Sequence, residues 1–597
     1  MGIMQTAYRT YEAQMHMAGI IEEGKEPLTP VSHAIQNAHI EIVLNGKGIF
    51  QQAYPVPKIK SKTIIPVTIE SANRTNKPSP HPLCEQLEYL APFGEEKFDA
   101  YLTQLEQWAN SEFSHPKVRA VFAYIQGKTI LRDLAESGVI ALDDTGNPSK
   151  GKIENVDYNK CLVRWRVQTE QEEVRDACWE DPTLFDSYIA YYTHQLALKR
   201  KDICFISGRE DVIAEMHPKG VIAANYGAKL ASANDKSGFT FRGRFADARQ
   251  AYAIGYIASQ KAHHALRWIA SNQGVTFGKR TFICWNPEGI PVPTFMLLGL
   301  PNTEPVNFVH YRKQLFETLS GYRQALPDTS DVVIAAFDAA TTGRLSVTYY
   351  NELKGSDFFN RIEDWFASFC WDTWFGVRSP TLKQIVNCAF GTQRGNTIEA
   401  DDAILPERMQ QLLHCIIDKQ PIPVDVVKAL AAKASTPQAY TPENRERLLV
   451  TACAVIRKYR NDKRKEEEWT LALDTSNTDR SYLFGRLLAI MEQVEKSASD
   501  YEEGRETNAI RMQSVFAQRP MYAWRILEEK VGPYFSRLSP GLRNYYKNMI
   551  GEITDKLNWN DPQLGKKLDD IYLLGYYHQR SAMTRKREEG CKGGEGV

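Results

Sequence analysis

The stretch from Cys204 to Trp285 constrains the fold most, because its hydrophobic period changes inside it. It opens on a short apolar segment, Cys204-Phe205-Ile206, which Ser207-Gly208 stops. Turn-prone His217-Pro218-Lys219-Gly220 follows, then Asn225-Tyr226-Gly227-Ala228-Lys229 and Asn234-Asp235-Lys236-Ser237-Gly238. In Phe239-Thr240-Phe241-Arg242-Gly243-Arg244-Phe245 the phenylalanines share one parity and the arginines the other, as on the two faces of a strand. From Ala246 the period becomes helical. Ala251, Ile254, Gly255, Ala258, Ala262, Ala265, Leu266 and Ile269 fall on one face, and Asn272 to Gly274 end the helix. Thr281 to Trp285 reads as a strand closed by Asn286-Pro287. The expected unit is strand, glycine-rich loops, long helix and strand, with polar and basic groups held in the loops.

A chain of 597 residues exceeds one ordinary core, so roughly two to four domains are expected. Lys+Arg and Asp+Glu balance at 73 each, which excludes a globally basic nucleic-acid binder but not a local basic surface. The ten cysteines are scattered, none at C-x-x-C spacing and several in apolar runs, as buried free thiols are in a reducing cytosol. No stretch has the roughly 18 consecutive apolar residues of a membrane span, and Met1 to Gln14 does not read as a signal peptide. A soluble cytoplasmic protein is expected.

In chain order, Met4 to Tyr11 reads as a short helix and His39 to Gly46 as a strand entering an Asn-Gly turn. Pro55 to Pro82 holds many prolines together with Lys58, Lys60, Lys62, Arg74 and Lys77, and reads as an extended loop with charge at its tip. It fits a solvated surface loop, or a loop whose cations meet phosphates while Asn73 and Asn76 meet base edges. Leu83 to Leu134 is largely helical, with Trp108, Phe113 and Phe122 as core, and Cys161 to Val167 is a strand whose arginines alternate with apolar residues. Asp331 to Phe337 and Gly343 to Tyr350 are two further strands. From about Phe358 the pattern is helical nearly to the end, with Ser435 to Pro442 as a linker. The fold class is therefore α+β: a mixed domain over 1–355, a helical connecting region over 356–440 and a helical bundle over 441–597.

None of the catalytic motifs sought occurs: no G-x-x-x-x-G-K-[ST], G-x-G-x-x-G after a strand, H-E-x-x-H or G-x-S-x-G. His263 and His264 are adjacent, so on a helix they diverge by about 100°, with His263 nearer the apolar face and His264 nearer solvent. Asp401-Asp402 is a lone acidic pair, and Cys204 and Cys284 sit in apolar runs. The expectation is a non-enzymatic binding protein with no cofactor and no metal. Arg249, Lys261, His264, Arg267, Lys279 and Arg280 could form a backbone track, and a solvated surface fits them equally.

Several short motifs, in order, resemble one family. They are Cys204 to Gly208, Ile213-Ala214 with His217-Pro218, and Gly227 to Asn234, continued by Ala251-Tyr252-Ala253 and the strand ending at Trp285. Towards the ends, Met4-Gln5 with Tyr8 and Tyr11, Arg74 through Pro82-Leu83-Cys84 with Tyr89-Leu90, and Arg344 to Val347 fit as well. So do Asp479 to Tyr482, Gly485 to Ala489 and Gly575 to Gln579. Together they are similar to the type I-C CRISPR-associated Cascade large subunit. Asn225-Tyr226 and Lys229 depart from that family's loop, which is often rich in Gln and Ser.

The resemblance implies a non-enzymatic subunit of an RNA-guided DNA surveillance complex. Its expected partners are a guide RNA (crRNA), target double-stranded DNA, the other Cascade backbone and small subunits, and a helicase-nuclease. It would read the protospacer-adjacent motif, assist strand opening and R-loop formation, and recruit the helicase-nuclease. Arg74, Asn76 and Lys77 are the first expected DNA contacts; Asn225, Lys229, Asn234 and Lys236 come second, with Arg242 and Arg244 beside them. Arg511, Arg519, Arg525, Arg543 and Lys547 of the bundle, which is similar to a small subunit, would line a strand path. The alternative is a stand-alone or degenerate metal-dependent nuclease or polymerase-like enzyme, which needs an acidic metal cluster.

Overall fold

The computed structural model describes residues 2–592 apart from 75–76, 169–174, 200, 232–244, 246–249, 251, 295–306, 340, 342, 374–375, 464–467 and 499–504. Helix accounts for 51% and strand for 17%, the strands in small sheets and the C-terminal part helical, so the fold is α+β. The chain divides into two compact units: Met1–Ile290 with Val333–Asn351, and Pro291–Val332 with Glu352–Val597.

The first unit is built on two four-stranded sheets. In one, Ile40–Asn45 pairs antiparallel with Phe50–Pro55 and parallel with Leu162–Gln168, and Glu85–Gln86 adds to the far edge. Both faces are covered, so the alternating arginines of Leu162–Gln168 do not mark a solvent face. Arg164 is buried opposite Glu41, giving that carboxylate hydrogen bonds of 2.6 and 2.8 Å, and it stacks 3.8 Å from the Trp179 ring. Arg166 adds 2.8 Å to the same carboxylate, and these bonds hold Glu41 ionised against the desolvation that opposes it. The second sheet runs Val275–Phe277, Arg280–Trp285, Asp331–Asp338 and Ser346–Lys354 in spatial order. Helix Tyr256–Gln273 packs on this sheet and against helix Ile3–Ala13.

Three expectations change here. The stretch Pro55 to Pro82 is not one loop: Lys62–Pro66 pairs with His33–Asn37, burying Ile64 and Ile65, while Pro55 and Pro66 stand at strand ends where no further ladder bond is needed. The apolar segment at Cys204 is the turn of a hairpin between Lys201–Ile203 and Glu210–Val212, with Cys204 buried and Phe205 out. The helix starts at Tyr256, since Gly255 is extended and bridges Ile213, where a Cβ would overlap the Asp211 carboxylate. The aromatic-basic run 239–244 lies outside the described residues.

The second unit is helical except for small hairpins, Trp371–Thr373 with Gly376–Arg378 and Thr392–Arg394 with Thr397–Glu399, in a region expected to be helical throughout. Ser435 to Pro442 joins helices Val424–Ala434 and Pro442–Lys463 of this same unit, and its Pro437 is buried. Helix Arg480–Lys496 is buried almost all the way round and crosses the C-terminal helix Tyr572–Lys592 in close contact. Gly485 and Gly575 face the opposing backbone there: a Cβ on either would overlap the carbonyl oxygen of Tyr572 or Tyr482. No helix of the described residues is long and apolar enough to cross a membrane.

Candidate functional site

The first unit brings together the loop after residue 68, the loop around His217 to Lys229, and Thr341 with Gly343 to Leu345. Thr68 and Ser71 form a reciprocal cap, at 3.0 and 2.9 Å, on the short helix Ile69–Ala72. Asn73 follows, its Nδ2 donating 2.9 Å to the Ile69 carbonyl and its Oδ1 accepting the Lys229 ammonium at 3.0 Å. Lys229 is also held by its backbone, pairing with Gly343 and Leu345 on either side of Arg344. The half-buried Asn225 donates 3.0 Å to the Thr341 carbonyl.

Arg74 differs in character from its expected role. Its guanidinium grips Glu85 at 2.5 and 3.1 Å and lies 5.0 Å over the Tyr89 ring. Glu85 is fully buried, and it also accepts the backbone amides of His81 and Gln86 at 2.7 Å each. One carboxylate therefore ties residues 74, 81 and 86, closing the intervening loop at its base, while Lys77 at the tip is exposed. Asn76 lies outside the described residues, as do Asn234, Lys236, Arg242 and Arg244. Removing Arg74 would strand a buried carboxylate, a defect of roughly 3–5 kcal/mol. Arg74→Ala is expected to lower the melting temperature and speed proteolysis between residues 74 and 85. Unchanged melting and cleavage would count against this clamp.

The first two of these loops and helix Tyr256–Gln273 wall a cavity of about 220 Å3 whose lining includes Asn73, Arg74, His81, His217, Lys219, Tyr226, His263 and Arg267. Its imidazoles are neutral. Burial pushes His81 and His263 down to about 4 and His217 to about 3, and nearby cations push each in the same direction. His263 donates from Nδ1 to the Ser259 carbonyl at 2.7 Å, and His217 Nδ1 meets the Ser259 hydroxyl at 2.7 Å. His264, expected nearer solvent, is buried because Thr29 covers that side of the helix and accepts its Nδ1 proton at 3.0 Å.

Most other cations nearby are already neutralised. Arg267 bridges Glu26 at 2.6 Å, Arg280 bridges Asp338 at 2.7 Å and Lys261 pairs with Glu12, so these members of the expected track are spent on internal pairs, while Lys279 is exposed and Arg249 lies outside the described residues. Lys77, Lys219 and Lys229 form no ion pair among the described residues. Burial, and then the charge of Lys219, lowers the Lys229 pKa. Local positive charge thus collects at these lysines. Lys219 and Tyr226 were legible only as loop residues, because their place at the cavity depends on contacts far apart in sequence.

Elsewhere, Asp401 and Asp402 are exposed in a turn before helix Leu405–Ile417. In the bundle, Arg543 is occupied by the Phe535, Ser536 and Leu538 carbonyls at the end of helix Pro520–Arg537, whereas Arg511, Arg519, Arg525 and Lys547 are exposed.

Fold and cleft together define an α+β protein with a cation-rimmed cavity in one unit and a helical second unit. A family model described as CRISPR-associated protein (Cas_Csd1) matches residues 8–584, nearly the whole chain. The chain belongs to that family, the type I-C large-subunit family that its motifs resemble. No curated protein matches it.

Proposed function

We propose that the chain is the large subunit of an RNA-guided type I-C surveillance complex. In this reading it binds duplex DNA at the protospacer-adjacent motif, assists strand opening and R-loop formation, and recruits a helicase-nuclease. It works with a guide RNA and the other Cascade subunits in the cytoplasm, and performs no chemistry itself. The observation that carries the reading is convergence: Asn73, the His217–Lys229 loop and Gly343 to Leu345 meet around lysines without carboxylate partners among the described residues. Such lysines supply phosphate contacts, and a side-chain amide such as that of Asn76 supplies base-edge contacts.

In this reading Lys77 contacts the backbone, Asn225 and Lys229 are second contacts, and Arg74 acts as a positioning residue through Glu85. In the assembled complex, Lys77→Ala is expected to weaken binding to every motif variant and reduce the salt slope by about one. Asn76→Ala is expected to change the preference between motifs by roughly tenfold, within the 1–3 kcal/mol of one base contact. Equal affinity of both variants and the parent for every motif would sink the assignment.

A further inference from the structure

We propose that the histidine-walled cavity seats one unpaired nucleotide, its base beside Tyr226 and its flanking phosphate on Lys219 and Lys229. This deepens the DNA-binding reading above and rests on it. It assigns to this cavity the capture of a base, which reading a closed duplex does not require.

Size restricts the occupant first. About 220 Å3 is below the roughly 300 Å3 at which drug-sized ligands begin to fit, so the cavity suits a single planar ring system. Charge restricts it next. Arg74 and Arg267 at the wall are matched by Glu85 and Glu26, while Lys219 and Lys229 have no carboxylate among the described residues. Lys219 lines the cavity and Lys229 adjoins it through Asn73, so an anion between them would relieve their repulsion.

The wall supplies the remaining chemistry. His217 and His263 are each 1% exposed, yet their Nε2 atoms have no hydrogen-bond partner. With its Nδ1 proton given to the Ser259 carbonyl, His263 keeps Nε2 as an acceptor, which suits an exocyclic amine or ring N–H of a base. Tyr226 is the exposed aromatic of the site, at 44%. Arg267 holds it in place: the hydroxyl accepts 3.1 Å from that guanidinium, which lies 5.2 Å over the ring and still leaves the side chain partly exposed. The opposite constraint is Gly220, at φ +80°, where a side chain would collide with the ring. A fixed, exposed ring beside unmatched lysines is the arrangement that stacks a base and holds its phosphate.

The test uses the assembled complex and two DNA duplexes of one sequence, one fully paired and one with a single bulged 2-aminopurine. The parent is expected to prefer the bulged duplex by about tenfold, with 2-aminopurine fluorescence quenched on binding. Tyr226→Ala is expected to bring the affinity ratio to about one and abolish the quench; Tyr226→Phe, which keeps the ring, is expected to retain both. Lys77→Ala should weaken binding to both duplexes and leave their ratio unchanged. Paired-duplex binding without bulge preference or quench overturns the nucleotide seat alone, as does full retention of both in Tyr226→Ala. Failure to bind either duplex overturns the DNA-binding reading together with it.

Discussion

Gly485→Ala or Gly575→Ala is expected to destabilise the helical unit by about 4 kcal/mol, at the upper end for a single substitution. The cause is the crossing of Arg480–Lys496 over Tyr572–Lys592, where each glycine lies against the other helix's backbone. The blocking atoms are the carbonyl oxygens of Tyr572 and Tyr482, which cannot rotate aside as side chains can. The helices must therefore move apart. Separation would also stretch the buried polar bonds that tie them, Arg486 to Gln579 at 2.9 Å, Tyr482 to His578 at 3.0 Å, and Tyr576 to Glu492. At roughly 2–4 °C per kcal/mol for a unit of this size, calorimetry should show a fall of about 10 °C in that unit's transition. Gly551→Ala is the control. Gly551 sits in helix Pro540–Thr554 with no atom near its Cβ direction, so alanine there should stabilise by about 1 kcal/mol. Equal melting of Gly485→Ala and the parent would refute the close crossing.

Acidification from about pH 7.5 to pH 5 is expected to unfold the first unit. His33, His81 and His263 are held down at about 4, and His217 and His264 at about 3, each chiefly by burial. Unfolded histidine titrates near 6.5, so between that pH and 4 the unfolded chain binds more protons and stability rises with pH. The contribution is whole above 6.5 and shrinks as pH falls below it. At pH 5 it has fallen by roughly 2 kcal/mol per imidazole, and the sum is of the order of a domain's entire stability. Among the described residues of the second unit, His578 at about 3 is the strongly depressed imidazole, so that unit should lose less. Calorimetry across this range should show one transition collapsing ahead of the other. Transitions that keep their temperatures from pH 7.5 to 5 would contradict the neutral, buried imidazoles.

The local parts of this fold are legible in the sequence, and the pairings among them are not. The helical period of Ala258 to Ile269 and the apolar strand Thr281 to Trp285 are intrinsic to adjacent residues, so those elements stand where the pattern predicts them. The alternation of Arg164 and Arg166 with apolar residues does not say where they lie, because their outcome depends on Glu41, over a hundred residues away, which offsets the cost of burying a guanidinium. His264 misleads for a similar reason, since Thr29 covers what a lone helix would expose. Arg74 offers the clearest case at the site. Its charge and its loop marked it as a DNA contact, yet Glu85 turns it inward and leaves Lys77 as the exposed cation of that loop.

By itself, then, the sequence determined the α+β class, most helices and strands, and the family, since these rest on periodicity and on ordered motifs. Only the tertiary structure decided which cations are spent on internal partners and which remain unmatched, and that Asn73 meets Lys229. It also decided that Gly485 and Gly575 oppose each other's helices. The physical reason is common to both: a charge or a glycine acquires its meaning from the group packed against it, and that group lies far along the chain.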